Sequence, residues 1–117
     1  MLRSAETYLL EIQRAATYLI NRTRGMDFDA YNEDETLKFA VERNFIIIGE
    51  AMACIRRDHT HVSAMFDASG IVGLRNFMVH EYWSVDHNEV WSTLTTDVAP
   101  LREMIDEMLA RPDTLHP

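Results

Sequence analysis

Over the eight residues Arg75-Asn76-Phe77-Met78-Val79-His80-Glu81-Tyr82, the chain sets a permanent cation, an amide, an imidazole and a phenol within reach of one another. An arginine keeps its charge at any physiological pH, whereas an imidazole changes charge near neutrality. Together they can stabilise a phosphoryl oxyanion and move the proton that creates it. That pairing reads as phosphodiester chemistry without a metal. On an ideal helix Asn76 and His80 share one stripe, while Arg75 and Tyr82 share another. Arg75 and His80 are then about 140° apart in rotation and about 7.5 Å apart in rise, which makes it awkward to aim both at one phosphate within a single copy. The flexible Arg75 side chain could wrap around, the helix could be distorted, or a two-fold axis could bring the block of a second copy opposite the first. Spacing alone also permits a structural reading: Arg75 paired with Glu81, His80 hydrogen-bonded in a helix interface, Tyr82 packed.

The elements that would carry this block follow from apolar periodicity. Ala5, Tyr8, Leu9, Ile12, Ala15, Ala16, Leu19 and Ile20 recur at helical spacing and predict a first helix over about residues 2–24. Arg22 and Arg24 suit its negative end, and Gly25 suits the left-handed position beyond it. Asn32 followed by Glu35 resembles a capping box opening a second helix, with Leu37, Val41, Phe45, Ile48, Met52 and Ile55 buried and Arg56 and Arg57 at its end. Phe45 to Ile48 are apolar around the whole helix, so one face should meet the core and another a subunit interface. A loop or short helix spans His59 to Asp67, then Ser69 and Gly70 open a third long helix holding the block, with Ile71, Leu74, Met78 and Val85 inward. Asp86 and Glu89 start the last helix, marked by Trp91, Leu94, Val98, Leu101, Ile105 and Leu109 to about Arg111, with a kink or break expected at Pro100. No strand pattern, repeat or linker competes. The expectation is an all-α antiparallel bundle forming a single domain over residues 1–117.

The block resembles the signature of HEPN-domain proteins, in which an Arg, often followed by a polar residue, precedes a His by a short spacer. The HepT branch of that family extends the signature to R-x-x-x-x-H-x-Y. Arg75, Asn76, His80 and Tyr82 match those positions without a gap. Ile47-Ile48-Gly49-Glu50-Ala51, Ile71-Val72-Gly73-Leu74, Val85-Asp86, Val90-Trp91 and Asp97-Val98-Ala99-Pro100-Leu101 also look like that branch, so the likeness covers most of the chain.

The resemblance implies a HEPN-like bundle of four to five helices. It also implies a homodimer whose composite cleft is lined by Arg and His, which favours the two-fold solution and would cover the Phe45 to Ile48 region. The implied activity is a metal-independent endoribonuclease without a cofactor: RNA is cut by its own 2′-hydroxyl, His80 takes or relays the proton and Arg75 stabilises the transition state. Asn76, one turn from His80, orients the imidazole or donates to a phosphate oxygen. Products would be a 2′,3′-cyclic phosphate and a 5′-hydroxyl, and DNA would survive. A phenol with an ordinary pKa near 10 is a poor acid or base at neutral pH, so Tyr82 needs another role. The resemblance makes it the acceptor of AMP from an MntA-type minimal nucleotidyltransferase, the antitoxin of a toxin–antitoxin pair. The competing reading is a non-catalytic helical dimer that serves as a binding platform for that nucleotidyltransferase.

Composition narrows the function classes. A net charge of −8 over 117 residues argues against a nucleic-acid coat protein, so any contact with RNA must be local. The longest aliphatic cluster is far too short to cross a membrane, and Glu6 and Glu11 interrupt the apolar residues that a signal peptide would keep continuous. The single Cys54 reads as a small core residue in a reducing cytoplasm. His59 and His61 form an H-x-H pair without a fixed third ligand and read as a solvated connection rather than a metal site. Arg43, Arg56 and Arg57 either extend an RNA-binding surface or answer a helix dipole. Asp27, Asp29 and the Glu33 to Glu35 run read as helix capping rather than paired catalytic acids. Trp83 and Trp91 read as core or interface, and no phosphate-binding G-x-x-x-x-G-K-[ST] loop is present.

Overall fold

The first helix, α1 (Ala5–Thr23), begins one residue after Ser4, whose hydroxyl accepts from the Thr7 amide at 3.2 Å. It ends at Gly25, which takes φ +77°, a left-handed conformation open to glycine at little cost. The computed structural model describes residues 2–65 and 85–116, and every regular element among them is a helix. A six-residue helix, α2 (Phe28–Glu33), follows, capped by the Asp27 carboxylate on the Ala30 amide at 2.8 Å. The long helix α3 (Glu35–Asp58) starts at Asp34, whose carboxylate accepts from the Leu37 amide at 3.0 Å. The start signal expected at Asn32 therefore belongs two residues later, because Asn32 is already inside α2. A single turn, α4 (Thr60–Ser63), ends the first described stretch. After Asp86, which caps the amides of Asn88 and Glu89, α5 (His87–Leu109) runs to the C-terminal region and a 3-10 turn at Pro112–Leu115. The expected third long helix, with Ser69, Gly70, Ile71, Leu74, Met78 and the Arg75 to Tyr82 block, lies outside the described residues.

Contacts at the helix ends fix the topology. The His59 ring donates to the Arg3 carbonyl at 2.8 Å, and Arg22 meets Asp34 at 4.0 Å, so α1 and α3 run antiparallel. Gln13 donates to Asp106 at 2.6 Å, and the Tyr31 hydroxyl reaches His87, so α5 is antiparallel to α1 as well. One core lies between these helices. Leu9, Ile12, Ala16 and Leu19 from α1, Val41, Phe45, Ile48 and Ile55 from α3, and Val90, Val98 and Ile105 from α5 are fully enclosed, and Val85 packs against the cluster. Each such aliphatic side chain contributes about 1.5–3 kcal/mol relative to exposure. Phe45 and Ile48 face this core, whereas Ile46 and Ile47 are only half-buried.

α5 runs through Pro100 without a break, so of the kink or break expected there the break does not occur. A proline removes the amide that would bond the carbonyl four residues earlier, here Thr96. Both Pro100 and Thr96 are exposed, so water can serve that carbonyl, while Val98 and Leu101 beside them hold the helix on the core. Pro100→Ala should therefore stabilise the protein. An interior proline costs about 3 kcal/mol, and losing its stiffening of the unfolded chain returns under 1 kcal/mol, which leaves a net gain of roughly 2 kcal/mol. Chemical denaturation should show the gain as a raised midpoint with an unchanged slope.

Candidate functional site

Arg75, Asn76, His80 and Tyr82, the residues expected to carry the chemistry, lie outside the described residues, as does Trp83. What is described is the frame on either side of them and one groove on the helical surface.

On the C-terminal side, the chain enters α5 through a polar and aromatic cluster. Tyr31 from α2 is fully buried; its ring stacks on Trp91 at 5.1 Å between centroids, and its hydroxyl donates to His87 Nδ1 at 3.3 Å. Burial pushes the Tyr31 phenol well above its usual range, so it stays a proton donor. Burial also lowers His87, helped by the nearby Lys38 charge, which keeps the imidazole neutral and able to accept. Trp91 is thus packing against Tyr31 and the core, as its apolar neighbourhood suggested. Because His87 titrates below its ordinary 6.5 in the folded state, the unfolded chain binds the proton more readily. The stability this neutral contact provides is present above about pH 6.5 and is lost as pH falls through the folded value. The unfolding midpoint of the wild type minus that of His87→Gln should shrink on acidification from pH 7.5 to 5; a difference independent of pH would contradict the assignment.

On the N-terminal side, the two histidines of the H-x-H pair serve different tethers. His59 Nε2 donates to the Arg3 carbonyl and His61 Nε2 to the Thr114 carbonyl, each at 2.8 Å. They tie α4 to the segment before α1 and to the C-terminal 3-10 turn, and His61 stays exposed, in keeping with the solvated connection expected. No group of three metal-ligating side chains occurs among the described residues. Arg57 grips Asp58 through two hydrogen bonds of 2.8 and 2.9 Å, which holds the Asp58 carboxylate below its usual range. That guanidinium is committed within the chain. Cys54 is half-buried against the core as a free thiol, and Asp27 acts as a cap, as read from the sequence.

The described surface also holds an open groove of about 530 Å³ between α1 and α3. From α1 it takes Glu11, Arg14, Ala15 and Tyr18, and from α3 Arg43, Asn44, Ile46, Ile47 and Glu50. Both sets follow helical spacing, so each is one stripe of its helix. Of the cations flagged from sequence, Arg43 is here and Arg56 and Arg57 are not. Arg14 and Tyr18 escaped the sequence reading because only the packing of α1 on α3 brings them beside Arg43.

The comparison with known proteins decides the family. The model of the family described as "Ribonuclease HepT-like" matches residues 11–108. This chain belongs to the HepT-like family. A relative from Caldanaerobacter subterraneus subsp. tengcongensis, named "Putative RNase TTE0752", is 26% identical over 110 residues, which cover 94% of this chain and 98% of that protein. One from Thermococcus cleftensis, named "Probable ribonuclease HepT", is 29% identical over 108 residues, covering 92% and 98%. A third, from Methanocaldococcus jannaschii and named "Putative RNase MJ1380", is 27% identical over 104 residues, covering 89% and 95%. No solved structure matches the chain. Family membership and the all-helical frame agree with the resemblance read from the Arg75 to Tyr82 block.

Proposed function

We propose that this HepT-like chain is a metal-independent endoribonuclease toxin that works as a homodimer in the cytoplasm. The observation that carries the reading is an uninterrupted R-x-x-x-x-H-x-Y block inside a chain that matches a ribonuclease family model over residues 11–108. His80 takes the proton from the 2′-hydroxyl of the nucleotide before the scissile bond, and the freed oxygen attacks phosphorus. The 5′-oxygen leaves and receives a proton from the second copy's imidazole or from water. Arg75 binds the phosphate and stabilises charge as the pentacoordinate state forms, with Asn76 steering the imidazole. The pairing of one block against another across a two-fold axis overcomes the angular separation of Arg75 and His80. A minimal nucleotidyltransferase silences the enzyme by transferring AMP to the Tyr82 hydroxyl, which places a bulky anion beside Arg75. The whole chain acts as one domain. None of the helices formed by the described residues is long and apolar enough to cross a membrane.

Expression in a bacterial host tests the reading. Wild type should arrest growth and degrade cellular RNA, and co-expression of a minimal nucleotidyltransferase should relieve both. Arg75→Ala and His80→Ala, confirmed as folded by circular dichroism, should be harmless. Harmless wild type, or variants as toxic as wild type, would leave the non-catalytic binding platform as the better account.

A further inference from the structure

In a chain of net charge −8, the groove between α1 and α3 brings two arginines, Arg14 and Arg43, together beside two glutamates, Glu11 and Glu50. Among the described residues, neither Arg14 nor Arg43 has a hydrogen bond or ion pair. Of the carboxylates that share the groove, Glu11 is held by Arg3 and Glu50 has an interaction of its own. Each arginine also has an exposed aromatic one turn away on the same stripe. Tyr18 follows Arg14 on α1 and is 39% exposed; Phe39 precedes Arg43 on α3 and is 64% exposed. Because the two helices run antiparallel, with Arg22 against Asp34 at one end and Arg3 against His59 at the other, Arg14 stands level with Arg43 and Tyr18 level with Phe39. The two cations therefore sit side by side, and the two rings lie about 6 Å further along the helix axes.

We propose that this groove is a contact surface for single-stranded RNA, with Arg14 and Arg43 clamping one phosphodiester and Tyr18 and Phe39 stacking on the neighbouring bases. Guanidinium groups match phosphate oxygens in geometry and charge, and ring faces accept any base, so the pairing binds a strand without reading its sequence. It is a local basic and aromatic strip on an acidic body, the form that RNA contact has to take in this chain. Arg43 belongs to this strip, whereas Arg57 is paired with Asp58. The choice of RNA as occupant rests on the ribonuclease reading; the clamp itself rests on the groove. The half-buried Ile46 and Ile47 form its floor.

The test uses the full chain and a fluorescently labelled single-stranded RNA followed by anisotropy at several salt concentrations, alongside cleavage of that RNA and of a dinucleotide with a single phosphodiester. Arg14→Gln/Arg43→Gln should raise Kd about tenfold and reduce the salt slope by about 0.7, the share of one lost phosphate contact on a single strand. Tyr18→Leu/Phe39→Leu should raise Kd about tenfold or more with the salt slope kept, and Tyr18→Phe should bind as wild type does. All four side chains are exposed, so both double variants should keep the wild-type circular dichroism and dinucleotide cleavage. Unchanged Kd and salt slope in the arginine variant would overturn the proposal. So would a parallel loss of dinucleotide cleavage, or a change of oligomeric state without RNA, which would make the groove an interface between copies. If wild type binds RNA in this pattern but cuts neither substrate, the catalytic reading fails while the groove assignment stands.

Discussion

His80→Ala is expected to slow RNA cleavage by about two to four orders of magnitude, the usual loss when a positioned acid or base is removed from a proton transfer. Arg75→Ala should cost about two to three orders of magnitude in kcat, as for removal of one donor to a developing oxyanion. The two losses differ in character. An imidazole acting as base while the second copy's imidazole acts as acid gives a bell-shaped pH–rate profile, and the profile should flatten in His80→Ala. Arg75 keeps its charge throughout, so Arg75→Lys should retain the profile while falling in rate, because an ammonium lacks the forked geometry that fits a phosphate. Initial rates on a labelled oligonucleotide between pH 5 and 9 would measure both. A His80→Ala rate within a factor of a few of wild type would remove the imidazole from the mechanism.

Tyr82→Phe should abolish AMP addition and leave cleavage largely intact. The substitution deletes only the hydroxyl that would form the phosphodiester to AMP, and a phenol near its ordinary pKa has no proton-transfer role for the reaction to lose. In a host that also expresses the nucleotidyltransferase, wild type should gain the mass of one adenylyl group and stop cutting RNA. Tyr82→Phe should gain nothing and stay active, hence toxic. An adenylyl group found on the variant by intact mass would move the acceptor to another side chain.

The helical frame was largely legible because its signals are local. Leu9, Ile12, Ala16 and Leu19 declare α1 by spacing alone, and Gly25 marks its end by the one backbone conformation that favours glycine. The start of α3 was misread by two residues, since α2 is too short to build a periodic stripe and Asn32 to Glu35 imitates a cap from inside it. At Pro100 local and tertiary signals compete: its helix-breaking tendency is local, whereas the burial of Val98, Leu101 and Ile105 that holds α5 continuous through it is tertiary. The site divides the same way. The Arg75 to Tyr82 block is contiguous and could be recognised as a string, but Arg14, Tyr18 and Arg43 come to line one groove only once α1 lies antiparallel on α3. His59 and His61 lie on the short connection expected, but the two backbone carbonyls they serve belong to distant segments that only the fold brings near.

The central claim is that RNA's own 2′-hydroxyl is the nucleophile, with the chain supplying only an imidazole and a guanidinium. Purified protein incubated with an RNA oligonucleotide in excess EDTA, followed by mass spectrometry of the fragment ends, tests it most directly. The account predicts continued cleavage, 2′,3′-cyclic phosphate on one fragment, a 5′-hydroxyl on the other, and no cleavage of the same strand when the nucleotide at the cut carries 2′-deoxyribose. Fragments with a 5′-phosphate, or cleavage that disappears with EDTA and returns with a divalent cation, would contradict it.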